Sequence, residues 1–73
     1  MIRIEFCEKW NYFPDFDRVS SIIKEINPNA VIVGNKRPPR SGAFEVEIDG
    51  ELVFSKLKLG TFPDKKTINS WFQ

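Results

Sequence analysis

Phe44-Glu45-Val46-Glu47-Ile48-Asp49-Gly50-Glu51-Leu52-Val53-Phe54-Ser55 is the stretch on which the fold turns. Phe44, Val46 and Ile48 alternate with Glu45, Glu47 and Asp49, the period of a strand with one dry face and one wet face. Asp49-Gly50 is the residue pair best suited to a two-residue hairpin turn. The chain then returns as a partner strand from Glu51 to Leu57. With that turn, Ile48 faces Glu51, Val46 faces Val53 and Phe44 faces Ser55. Leu52 and Phe54 are therefore expected on the wet face beside Glu45 and Glu47, unless a bulge after the turn reverses the faces.

Working outward from the hairpin, residues 35–42 read as a loop by composition. Before it, Ala30-Val31-Ile32-Val33 is a short apolar run suited to a parallel strand covered by a helix. The helix is written in Phe16, Val19, Ile22, Ile23 and Ile26 at steps of three and four, opened by Pro14 with Asp15 and Asp17 near its positive end and stopped by Asn27-Pro28-Asn29. Ile2, Ile4 and Phe6 alternate with Arg3 and Glu5, a half-buried first strand. Downstream, Gly60 and Pro63 interrupt the chain, and residues 64–72 form a last short helix with Ile68, Trp71 and Phe72 turned inward. A right-handed crossover sets the first two strands side by side. The first strand of the hairpin pairs antiparallel to the first strand of the chain. The expected fold is α/β and two-layered, β-α-β-β-β-α, with both helices on one face of a four-stranded mixed sheet in a single domain over residues 1–73.

Composition narrows the function. Eleven Lys and Arg stand against ten Asp and Glu, so no global field points to nucleic acid. The chain has no His and one Cys. That leaves no zinc ligand set and no Ser-His or Cys-His pair, and the expectation is no metal and no bound cofactor. No apolar run approaches the roughly 18 residues of a membrane span, and neither a signal peptide nor a prenylation cysteine is read. A lone cysteine fits a reducing compartment, and a cytoplasmic location without membrane contact is expected.

That cysteine, Cys7, follows directly on the first strand, in the sequence Cys7-Glu8-Lys9-Trp10. A C-x-x-C redox motif belongs at such a strand-to-helix turn, but Trp10 occupies the second position. One thiol makes no internal disulfide, which excludes two-cysteine cycling within the chain. The topology brings residues 35–42 and 56–62 to the same edge. The converging loops carry Lys9, Lys36, Arg37, Arg40, Lys56 and Lys58 against Glu8 alone. Such a positive pole favours thiolate over thiol and suits an anionic partner. The ordinary alternatives are a cysteine that is only a small buried hydrophobe and a basic loop that is only solvated.

The strand ending in Phe6-Cys7, the spacing to position 10, and above all the run Ser41-Gly42-Ala43-Phe44-Glu45-Val46-Glu47-Ile48-Asp49-Gly50-Glu51-Leu52-Val53-Phe54-Ser55-Lys56-Leu57 resemble the selenoprotein W, T and H family, also called Rdx. The resemblance spans nearly the whole chain, including Gly60 and Phe62-Pro63. It implies a thioredoxin-like fold, a C-x-x-C or C-x-x-selenocysteine motif at the first turn, and a glutathione-linked or thioredoxin-like redox role. Cys7 matches the family cysteine, and Trp10 stands at the second redox position. Three explanations stay open: a degenerate site, a monothiol resolved by glutathione, or a UGA codon read as tryptophan. The leading expectation is a thiol redox or glutathione-binding protein acting through Cys7, with Lys9, Lys36, Arg37, Arg40 and Lys56 holding the anion and glutathione or a protein thiol as co-substrate. The rival is a non-enzymatic interaction module. Its partner or second copy would dock on the open sheet face at Leu52 and Phe54.

Overall fold

A computed structural model describes residues 1–73. Seven elements follow one another: β1 (Ile2–Phe6), α1 (Phe13–Ile26), β2 (Ile32–Val33), β3 (Phe44–Ile48), β4 (Glu51–Ser55), α2 (Lys56–Leu59) and α3 (Lys65–Ser70). The alternation of β1 becomes a burial pattern, with Ile2, Ile4 and Phe6 buried and Arg3 exposed. The stripe of α1 buries Val19 and Ile23 completely, while Phe16, Ile22 and Ile26 pack around them. Asn27, extended as a residue before proline must be, ends that helix while its N–H still reaches Ile23 O.

The sheet order is β2-β1-β3-β4, with β1 parallel to β2 and antiparallel to β3. This is the expected four-stranded mixed sheet. The core lies on one of its faces, where Phe44, Val46 and Ile68 are fully buried and α1 packs against α3. Asp64 caps α3 by accepting the Thr67 N–H at 2.8 Å. That bond holds the Asp64 carboxyl below its ordinary pKa. The opposite face carries Arg3, Glu5, Glu45, Glu47 and Leu52 and is turned away from the core.

The hairpin turns as expected at Asp49 and Gly50, both left-handed with φ of 49° and 87°, the conformation of a type I′ turn. The register then departs from expectation. Ile48 faces Glu51 and Glu47 faces Leu52, but Val46 faces Phe54, so Val53 is an extra residue in β4. Phe54 is thereby moved from the open face into the core, where it is 5% exposed and its ring lies 6.1 Å from that of Trp71. The surface expected from Leu52 and Phe54 together is reduced to Leu52, which is 48% exposed. The physical reason is burial: fully burying a phenylalanine gains about 1.5–3 kcal/mol, and the bulge lets Phe54 take that place.

Two boundaries also shift. The second strand is confined to Ile32–Val33, although the Ile2 N–H still bonds Val31 O at 2.9 Å. The fourth ends at Ser55, where the side chain accepts the Lys58 N–H and starts the short helix α2 in place of the expected strand to Leu57.

Candidate functional site

Cys7 prolongs β1 by one residue. Its N–H donates to Ala43 O at 2.9 Å, and its carbonyl accepts the Tyr12 N–H at 3.0 Å. Between these bonds the chain reverses through a turn in which the Asn11 N–H reaches Glu8 O and Asn11 adopts φ of 57°. The result separates the two positions of the motif. Cys7 is 1% exposed, whereas Trp10, at the outer part of the turn, is 62% exposed and donates its ring N–H to Ser41 Oγ at 3.2 Å.

Loop 34–43 lies along the end of β1 and is bonded to it through Asn35 and Arg40. Asn35 works as a surrogate for the strand that β2 has ceased to be: its Oδ1 accepts the Phe6 N–H at 3.0 Å, and its Nδ2 donates to Phe6 O at 2.8 Å and to Glu8 Oε2 at 3.0 Å. One amide thus satisfies both backbone groups of Phe6 at an otherwise open edge. Farther on, Arg40 closes over Glu5. Its backbone N–H donates to Glu5 Oε2 at 2.7 Å, its Nη2 to Oε1 at 2.9 Å and its Nε to Oε2 at 3.1 Å. The paired guanidinium holds the Glu5 carboxyl below its ordinary pKa, and Glu5 in turn raises that of Arg40.

The network continues across the open face. Arg40 Nη2 lies 3.7 Å from Glu45 Oε1. Glu45 is 6% exposed, accepts the Ser55 hydroxyl, and accepts the Leu57 N–H at 3.3 Å. A buried carboxylate needs such partners. The chain of contacts therefore runs from β1 through loop 34–43 and β3 to the start of α2. The loop after α2 is pinned beneath the same edge by Phe62, whose ring lies 4.8 Å from Tyr12 and 5.4 Å from Phe44. Lys56 Nζ sits 5.2 Å from the centroids of both Tyr12 and Phe62.

Three sequence-distant loops do meet at the Cys7 edge, as the topology requires. The cations they carry do not gather as one pole. Arg40 is committed to Glu5, and Lys56 to two aromatic rings. Lys36, Arg37 and Arg40 line a shallow cavity of about 460 Å³ on the open sheet face with Arg3, Glu47 and Leu52, and Cys7 is not among its lining residues. Lys9 and Lys58 form no ion pair and lie outside that cavity. Sequence reasoning missed Glu5, Asn35, Glu45 and Ser55. The alternation of Glu45 with apolar neighbours marked a wet face, but nothing in it marked a carboxylate about to be buried.

The chain matches the Rdx family model over residues 1–71. It is 40% identical over 67 residues to Migration and invasion enhancer 1 of Bos taurus, which covers 92% of this chain and 56% of the relative. It is also 31% identical over 64 residues to Selenoprotein W of Danio rerio, covering 86% and 74% of the two chains. The chain thus spans little more than half the length of the first of these relatives. Among solved structures, a selenoprotein W-related protein from Vibrio cholerae superposes with a TM-score of 0.78 at 21% identity, covering 94% of this chain and 86% of that one. A protein from Bordetella parapertussis superposes with a TM-score of 0.80 at 15% identity, covering 94% and 87%. Those identities carry the fold alone.

Proposed function

This chain belongs to the Rdx family, and from that premise we propose that it is a thiol redox protein working through Cys7 alone, with glutathione or a protein thiol as its co-substrate. The observation that carries the reading is positional. Cys7 stands at the β1–α1 turn of a thioredoxin-like, redox-related fold, and the sequence holds no second thiol to resolve an adduct internally.

The chemistry that fits is monothiol exchange. The Cys7 thiolate attacks one sulfur of an incoming disulfide. The new bond to Cys7 forms as the old S–S bond breaks, and the electron pair leaves with the departing thiolate, which takes a proton from water. A second thiol from solution, its proton given up to water, then attacks the outer sulfur of the adduct as thiolate. A new disulfide forms in solution as the bond to Cys7 breaks and the electron pair returns to Cys7. The incoming disulfide is the oxidant and the solution thiol the reductant, so the cycle balances without a bound cofactor.

Intact mass after treatment with glutathione disulfide tests this. One glutathione per chain, absent from Cys7→Ser and reversed by reduced glutathione, is the expected result. The rival reading is an interaction module on a retired site, and the 1% exposure of Cys7 beside a Trp10 at 62% favours it. Failure of folded protein to form any adduct would leave that reading alone.

A further inference from the structure

For Cys7 to meet a disulfide, one of the walls around it must move. On one side the thiol turn runs into α1 through the Tyr12 bond, and α1 is anchored by Val19 and Ile23, both 0% exposed. On the other runs loop 34–43. It has no regular secondary structure, and before Ala43 none of its residues is buried. Its attachments are polar and enumerable: Asn35 to Phe6 and Glu8, Arg40 to Glu5 and, at 3.7 Å, to Glu45, Ser41 to Trp10, and Ala43 to Cys7 itself. A segment held by polar bonds, most of them exposed, and by little apolar burial belongs to the low-stability end of a fold, where local opening occurs without global unfolding. Gly42, with φ of 75°, gives it a hinge immediately before Ala43.

We infer that loop 34–43 is a strap that gates the Cys7 thiol, and that the Glu5–Arg40 pair is its latch. Among the attachments, this pair alone engages the strap through both backbone and side chain: the Glu5 carboxylate takes the Arg40 N–H together with the guanidinium in side-on, two-point geometry. The latch lies across the strand from the redox motif and touches no sulfur. It sets access to Cys7 while leaving the thiol's own turn unchanged. Arg40 is thereby a positioning residue; the anion-holding role expected of it competes with its bond to Glu5. The inference rests on the reading of Cys7 as the reacting thiol, but it concerns opening of the strap, which can be measured without any redox substrate.

The test is native-state alkylation of Cys7 by iodoacetamide in wild type, Glu5→Gln, Arg40→Lys and Asp64→Ala. Loss of the latch should speed alkylation by about tenfold or more, as expected when a charge-assisted two-point contact that limits local opening is removed. Asp64→Ala, which removes a helix cap remote from the strap, should not. Equal acceleration by Asp64→Ala would mean that Cys7 is reached only by global unfolding, and no acceleration in Glu5→Gln or Arg40→Lys would mean that the strap is not the gate. Either result overturns the inference. Hydrogen exchange of wild type covers the case in which a variant does not fold: the Arg40 and Ala43 amides should exchange well before those of Val19 and Ile23, and exchange in step with them would overturn the gate as well. The two readings fail separately. Latch-dependent alkylation without any glutathione adduct ends the redox reading and leaves the gate, whereas adduct formation at equal rates in wild type and Glu5→Gln ends the gate and leaves the redox reading.

Discussion

The thiol turn, residues 7–12, and the polar face around Glu5, Arg40 and Glu45 lie on either side of the end of β1 and could hardly be built more differently. The turn holds the one residue with redox chemistry, yet Cys7 is closed off and the exposed member of the motif is an unreactive indole. The polar face holds no thiol, yet it carries a buried carboxylate and a two-point ion pair. The difference teaches that motif and access are set in separate places. In the proposed reading residue 7 supplies the chemistry, and the Glu5–Arg40 pair decides how firmly it is shut in.

Trp10→Cys sharpens the contrast most. It places an exposed thiol three residues from a buried one, and position 10 should react with a thiol reagent about a hundredfold faster than Cys7, because access multiplies thiolate reactivity. Peptide mapping of a brief alkylation would check it, and comparable labelling of both positions would erase the distinction between open and closed halves of the motif.

Glu45→Ala attacks the other side. It leaves the Ser55 hydroxyl and the Leu57 N–H without their buried acceptor, and a loss of about 1–3 kcal/mol of stability is expected. Urea denaturation measures it, and an unchanged midpoint would show that the network is ornamental to the fold.

Acid should act on the polar face before the turn. The folded-state pKa of Glu5 is depressed by Arg40, so the stability it contributes is complete above the unfolded carboxylate value of about 4.3 and disappears as pH falls through the lower folded value. Arg40→Ala should therefore flatten the decline in stability below that pH. Asp64, depressed by its own cap bonds, leaves a residual decline. Denaturation midpoints across acid pH provide the measurement, and identical profiles for variant and wild type would break the link between latch and stability.

The smallest effect is expected at Leu52→Thr, on the same face but outside the network's hydrogen bonds. Stability should change by less than about 0.5 kcal/mol. Any self-association through the open face should be lost, and sedimentation showing the same monomer for both proteins would remove that face as a dimer contact.

Much of the fold was legible because its determinants are local. The alternation of Ile2, Ile4 and Phe6, the stripe from Phe16 to Ile26 and the Asp49-Gly50 turn each declare an element, and crossover handedness then orders the strands. The bulge at Val53 could be named as an alternative but not chosen, since the turn fixes only the pairs beside it and the pull of Phe54 toward Trp71 is a tertiary effect. Helix α2 hid in the alternation of Leu57 and Leu59 with lysines, where Ser55 looked like a strand residue and not a cap. At the site, Cys7 and Trp10 announced themselves by spacing. The latch did not, because Glu5 and Arg40 are 35 positions apart and each is an ordinary surface residue until the strap folds across β1.

The most direct test of the account is the time course of mixed-disulfide formation with glutathione disulfide, followed by intact mass in wild type and Glu5→Gln side by side. The account predicts a single glutathione on Cys7 in both, reached about tenfold sooner when the latch is gone. No adduct on either folded protein, while the unfolded chains accept one readily, would contradict it.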